Sequence, residues 1–123
     1  MILLYNSFAI LPSMSWEVEP TSEFDSWFAD LDPAVQDSIF AAVAVLEDRG
    51  PALGRPLVDS VRESRHSNMK ELRVRGTIRI LFAFDPSRKA ILLLGGDKRG
   101  RSDWYDKAIP KADRLFDRHL EDK

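Results

Sequence analysis

Met69-Lys70-Glu71-Leu72-Arg73-Val74-Arg75, then Gly76, then Thr77-Ile78-Arg79-Ile80-Leu81-Phe82-Ala83-Phe84 is the stretch on which the fold turns. Apolar side chains recur here at every second residue, the period of a strand rather than of a helix. Two strands are expected, Met69 to Arg75 and Thr77 to Phe84, joined by a turn at Arg75-Gly76. Ile78, Ile80, Phe82 and Phe84 share one face, and Thr77, Arg79, Leu81 and Ala83 share the other, so Arg79 points away from the aromatic row. Asp85-Pro86-Ser87-Arg88 reads as a turn, and Ala90 to Leu94 as a third strand, apolar enough for a sheet centre and ended by Gly95-Gly96.

Upstream the period lengthens to that of a helix. Trp16-Glu17-Val18-Glu19 alternates as a short strand; Thr21 or Ser22 then offers an N-cap, and Phe24, Trp27, Phe28 and Leu31 form one helical stripe. Asp32 caps and Pro33 opens a second helix, in which Val35, Ile39, Val43 and Leu46 keep step until Arg49-Gly50-Pro51. The two helices are expected to pair antiparallel. Downstream, the basic loop Asp97-Lys98-Arg99-Gly100-Arg101 leads to Ser102, a cap for a last helix carrying Trp104, Tyr105 and Ala108. Pro110 is expected to break or kink that helix before Leu115, Phe116 and Leu120. The fold class is therefore α+β: a small antiparallel meander sheet with two N-terminal helices and a C-terminal helix, the helices on one face. The first strand lies alongside the meander, at an edge the pattern does not assign.

A chain of 123 residues has room for one ordinary core. Residues 14–123 are assigned to a single domain. Residues 1–13 are apolar without a basic leader and shorter than the roughly 20 residues a membrane span needs, and they are left as an extension of unassigned role. The absence of cysteine excludes disulfides, thiolate nucleophiles and thiolate metal sites, and fits a reducing cytoplasm. The net charge of −2 hides an asymmetry: residues 1–54 carry nine acids and one base (−8), residues 55–123 seventeen bases and eleven acids (+6). Between Arg62 and Arg101 eleven bases face four acids, a footprint suited to a polyanion. The plainer reading is a solvated charged face.

Lys70-Glu71-Leu72-Arg73, Ile78 to Phe84, and Lys98-Arg99-Gly100-Arg101-Ser102-Asp103-Trp104-Tyr105 resemble the RelE/ParE toxin superfamily, most closely its HigB or phage Gp49-like branch. The resemblance runs from about Trp16 to Leu120. It implies the fold above and a small bacterial toxin of a type II toxin-antitoxin system, an endoribonuclease that cuts mRNA, commonly on the ribosome, without metal or cofactor. The partners implied are a cognate antitoxin, of helix-turn-helix type, together with mRNA, the ribosome and, through the antitoxin complex, operator DNA; no membrane is involved. Cleavage by the RNA's own 2′-hydroxyl needs a base, cations for the phosphorane charge and an acid for the leaving oxygen. Carried over by resemblance, Arg79 contacts the scissile phosphate, Arg99 stabilises its developing charge, and Tyr105 stacks on a base or assists proton transfer. Lys98, Arg101, Lys70 and Arg73 become phosphate contacts, and Trp104 a stacking platform.

Plainer readings stand beside these. Arg79 can pair with Glu71 across the hairpin, Arg73 with a carboxylate of the acidic first half, and Trp104 or Tyr105 can be core. His66 lies near where some HigB-type relatives carry a catalytic histidine, and His119 reads as an exposed helix residue. No metal site is expected. The chain departs from RelE nucleases that carry paired lysines before the strand arginine: Glu71 stands at the second position, which leaves the general base unassigned. Two alternatives follow from the same fold, a ParE-like DNA gyrase poison and a non-catalytic co-repressor bound to its antitoxin. In the nuclease reading the antitoxin covers the Arg62 to Arg101 region.

Overall fold

A computed structural model describes residues 16–101 and 103–122; residues 1–13 and the proposed cap Ser102 lie outside them. The elements are β1 (Glu17–Pro20), α1 (Ser22–Ala29), α2 (Pro33–Arg49), a single 3₁₀ turn (Gly50–Ala52), β2 (Val58–Ser60), β3 (Met69–Val74), β4 (Ile78–Phe84), β5 (Lys89–Asp97) and α3 (Trp104–Glu121). They form a five-stranded sheet in the order β1-β5-β4-β3-β2. The meander β3-β4-β5 is antiparallel as expected, with Arg73 opposite Arg79, while β1 runs parallel to β5, so the sheet is mixed. The edge strand β2 was not legible in the sequence, since three residues are too few to show a period.

Local chemistry sets the ends. The Thr21 hydroxyl accepts from the Phe24 amide at 3.0 Å, capping α1, and donates to the Leu93 carbonyl at 2.9 Å, so the same side chain fastens the helix start to the sheet. Asp32 occupies the N-cap of α2 but makes no side-chain cap bond; Pro33 follows it at the first helical position. The β3-β4 turn takes positive φ at Arg75 (50°) and Gly76 (79°).

Contrary to the single helical layer expected, the helices cover both faces. Phe24, Ile39 and Leu46 pack on Leu72, Ile80, Phe82 and Leu92 from one side, and Ala108, Ile109, Ala112 and Phe116 pack on Met69, Leu81, Ile91 and Leu93 from the other. The reason is visible in β4, where Leu81 and Ala83 on the second face are as fully buried as Ile80 and Phe82 on the first. A sheet apolar on both faces needs two covering layers. The layers are joined at the rim by Arg118, which donates to both oxygens of Glu23 at 3.0 and 2.8 Å and holds that carboxyl down at about 2.

Two further expectations are corrected. Gly95-Gly96 does not end β5, which continues to Asp97. A Cβ on Gly95 would meet the Trp27 ring at 2.2 Å and one on Gly96 the Trp104 ring at 2.4 Å, so the glycines seat an indole on each face of the strand. Pro110 does not break α3, which runs through it; the residue sits on the exposed side, where the carbonyl it leaves without a donor can meet water. No helix among the described residues is long and apolar enough to cross a membrane.

Gly96→Ala should destabilise the fold by about 1–3 kcal/mol through overpacking against buried Trp104. Gly95→Ala should cost less, because Trp27 is half-exposed and can yield. Urea melts of the two variants check the order; equal losses would contradict it.

Candidate functional site

Arg79 is the charged group that the sheet cannot hide cheaply. Strand alternation turns it onto the α3 face together with Glu71 and Arg73, and it is 8% exposed there. Its guanidinium is satisfied on several sides: NH1 donates to the carbonyls of Gly76 and Ile78 at 2.9 and 3.0 Å, Nε donates to the Tyr105 hydroxyl at 3.2 Å, and the Glu71 carboxylate lies 3.8 Å away. The expected pairing with Glu71 is therefore present, but looser than the bond to Tyr105.

Tyr105 comes from the first turn of α3, set there by the neighbouring Trp104 packing on Gly96. Its hydroxyl donates to Glu71 Oε1 at 2.6 Å while accepting from Arg79. Burial, then the bond to Glu71, pushes the phenol above its ordinary value, so it stays protonated. The other oxygen of Glu71 accepts from Arg73 Nε at 3.0 Å, and Arg73 also reaches Asp59 Oδ2 at 3.2 Å, so Arg73 pairs within β3 and with β2 and not with the acidic first half. The result is a chain of polar groups, Asp59-Arg73-Glu71-Tyr105-Arg79, across one sheet face.

Two hollows open on either side of Tyr105. One, about 510 Å³, is lined by Lys98, Gly100, Arg101 and Tyr105. The other, about 390 Å³, is lined by Glu63, Glu71, Asp106 and Tyr105 over Val61, Ile109 and Pro110. Of the residues singled out in the sequence, the structure thus gathers Arg79, Tyr105, Lys98, Arg101 and Arg73.

It sets others apart. Arg99 lines neither hollow; its exposed guanidinium pairs with Asp97 at 3.1 Å. Lys70 alternates with Glu71 and so projects from the opposite sheet face, away from Arg79. Trp104 is core, 6% exposed and edge-on to Tyr105 at 5.0 Å, which removes it as a stacking platform for RNA. His66 bonds Asp117 at 2.7 Å and abuts Phe116, beside a third hollow with Asn68 and Asp85. His119 is not an exposed helix residue: it is half-buried and bonds buried Asp85 at 2.8 Å. Sequence reasoning placed Glu71 beside Arg79 but missed its role at the centre of the network, treating it as a departure from pattern. The same-face spacing of Glu71, Arg73 and Arg79 was the available signal. Glu63 and Asp106 carried none, since only the fold brings them together.

Residues 26–117 match the family described as phage-derived protein Gp49-like. Two Mycobacterium tuberculosis proteins named as toxins are similar to the chain. HigB2 is 50% identical over 113 residues, 88% of this chain and 56% of that protein, so the chain spans little more than half of its length. HigB3 is 55% identical over 100 residues, 80% of this chain and 88% of that protein. Among solved structures, the isolated E. coli RelE toxin superposes with a TM-score of 0.57 at 11% identity, covering 77% of this chain and 96% of that one. An archaeal RelE in complex with RelB from Pyrococcus horikoshii gives 0.56 at 17%, covering 72% and 100%. At such identities the likeness is one of fold.

The raised Tyr105 phenol couples the site to stability. In the unfolded chain the phenol ionises near 10.0, while in the fold it holds its proton to higher pH, so its contribution is complete below that value and is lost as pH climbs through the folded one. Tyr105→Phe should flatten the alkaline limb of a stability-against-pH curve from about pH 10 upward. At neutral pH it should cost about 1–3 kcal/mol, because Glu71 loses a donor. Thermal melts across pH check both; an unchanged alkaline limb would contradict the assignment.

Proposed function

The chain belongs to the phage-derived Gp49-like family, whose relatives here are HigB toxins, and on that footing we propose that it is the toxin of a toxin-antitoxin pair which inhibits translation by cutting mRNA. The observation that carries the nuclease reading is the Tyr105 hydroxyl held between buried Arg79 and buried Glu71, at the edge of a hollow lined by Lys98 and Arg101. RNA supplies its own nucleophile, so the site has to remove a proton from the 2′-hydroxyl, spread the phosphorane charge and return a proton to the leaving oxygen.

Two of these demands have a group to meet them, and the leaving oxygen takes its proton from solvent water. Tyr105, kept neutral, accepts the 2′-hydroxyl proton as it passes its own to Glu71, which makes Glu71 the base that the missing lysine pair left unassigned. Arg79, which lines neither hollow itself, acts on the growing negative charge from behind the Tyr105 hydroxyl, at a low-dielectric position where a fixed guanidinium acts most strongly. Lys98 and Arg101 hold flanking phosphates. Arg99 joins only by leaving Asp97, an exposed pair that a phosphate readily replaces. His66, committed to Asp117 beside a different hollow, acts in this reading as a support for α3 rather than as a base. A cytoplasmic location, an antitoxin partner that covers the basic loop, the ribosome as platform and operator DNA through the antitoxin complex complete the proposal.

Controlled expression in bacteria with mapping of RNA 5′ ends tests it. The wild type should arrest growth and create new mRNA ends. Arg79→Ala should lose both, by a factor on the order of 10²–10³ for a removed charge-stabilising group. Tyr105→Phe should lose about 10²-fold, as for a removed proton-transfer group. Thermal melts of each variant separate lost chemistry from lost fold. Arrest with intact mRNA and broken DNA would replace this reading with the gyrase one, and harmless expression with that of a co-repressor.

A further inference from the structure

The hollow on the acidic side of Tyr105 is not used by the phosphates. Its floor is apolar, from Val61, Ile109 and Pro110; one wall is the Tyr105 ring; and its polar lining is Ser60, Glu63, Glu71 and Asp106. No set of three His, Cys, Asp or Glu side chains among the described residues converges closely enough to hold a metal ion, so these carboxylates line a cavity rather than a metal cage. Glu71 is buried with its bonds to Tyr105 and Arg73 made. The Glu63 and Asp106 carboxylates have neither a hydrogen bond nor an ion pair to another described residue.

A nucleotide has matching chemistry at its two ends. Its phosphate suits Lys98 and Arg101 on one side of Tyr105, and its base is a flat ring that stacks on aromatic walls and presents a polar edge. Ionised carboxylates only accept hydrogen bonds. Adenine, cytosine and guanine each carry an exocyclic amine that donates two, enough to serve both carboxylates, whereas uracil has a single donor, N3–H, flanked by two carbonyl acceptors that carboxylates repel. A cavity of about 390 Å³ admits one base.

We infer that this hollow is a nucleobase-reading pocket selective for bases with an exocyclic amine, and that Glu63 and Asp106 are its specificity-determining residues. The inference rests on the RNA-cleaving reading above and deepens it. Tyr105 divides the substrate: the phosphate lies on its basic side and the adjoining base on its acidic side. Both specificity residues are exposed, one on the loop after β2 and one on α3, so exchanging them leaves the core untouched.

The test compares the wild type with the double variant Glu63→Gln/Asp106→Asn, using titration calorimetry with the four nucleoside 3′-monophosphates and mapping of cut sites in cells. The wild type should bind the adenosine, cytidine and guanosine compounds about tenfold more tightly than the uridine compound, and should avoid uridine at the base beside the cut. In the double variant both preferences should shrink to about twofold or less, with an unchanged melting temperature as the control for folding. A wild type that binds all four alike, or a double variant that keeps the full preference, overturns the pocket. If binding discriminates as expected but no RNA is cut, the pocket stands and the nuclease reading falls. Cutting without base preference gives the converse.

Discussion

Arg79 places a permanently charged guanidinium in the face of a sheet at 8% exposure, where an unpaired charge would cost several kcal/mol. Everything nearest to it serves to satisfy that charge. Two backbone carbonyls of the β3-β4 turn region accept from NH1, the Tyr105 hydroxyl from Nε, and Glu71 supplies the counter-charge. Because Glu71 itself is buried, it in turn requires Tyr105 and Arg73 as donors. No buried side-chain nitrogen or oxygen among the described residues is left without a partner, so the network closes. A closed network of this kind holds its members at fixed positions, which is also what a catalytic constellation needs.

The site depends on α3 arriving at one place, and small residues decide that place. Gly96 lets Trp104 lie directly on β5, and the adjacent Tyr105 is thereby carried to Arg79. On the reverse face Gly95 receives Trp27 of α1. The strand that ends in the basic loop is thus clamped between two indoles, one for each helical layer, immediately before Lys98, Arg99 and Arg101. Packing at the glycines and chemistry at the loop are neighbouring consequences of the same strand.

Much of the fold was legible because it is written in periods. The switch from helical to alternating spacing located α1, α2 and the meander, and it turned Arg79 off the aromatic face correctly. What failed to show was what a period does not encode. Val58–Ser60 is too short to alternate visibly, and the face shared by Leu81 and Ala83 was counted without the helical layer that covers it. Gly95-Gly96 looks like a terminator unless the two tryptophans that fill their space are known. At the site, residue type suggested Lys70 and Trp104, whereas parity and burial decide against them: Lys70 lies on the wrong face, and Trp104 is spent on packing. The parity of Lys70 was countable in advance from the Arg73 to Arg79 hairpin; the partners of His66 and His119, 51 and 34 residues away, were not.

A chain of net charge −2 is an unexpected carrier for the proposed RNA-cutting site if affinity is judged by total charge. Local field is the better measure, since a cleft concentrates charge of one sign while the remainder of the surface is screened within about 8–10 Å at physiological salt. Here the sign changes across a single side chain, from Lys98 and Arg101 on one side of Tyr105 to Glu63, Glu71 and Asp106 on the other. A uniformly basic cleft would draw RNA in and tolerate many registers. In the proposed reading an abrupt change of sign sacrifices some attraction but favours the orientation in which phosphate and base fall on opposite sides of the phenol. In the mRNA-cutting reading proposed above, that orientation would bring the 2′-hydroxyl, which lies between phosphate and base in the nucleotide, to the Tyr105 oxygen and hence to Glu71. Electrostatic discrimination and positioning for proton transfer are then met by the same residue.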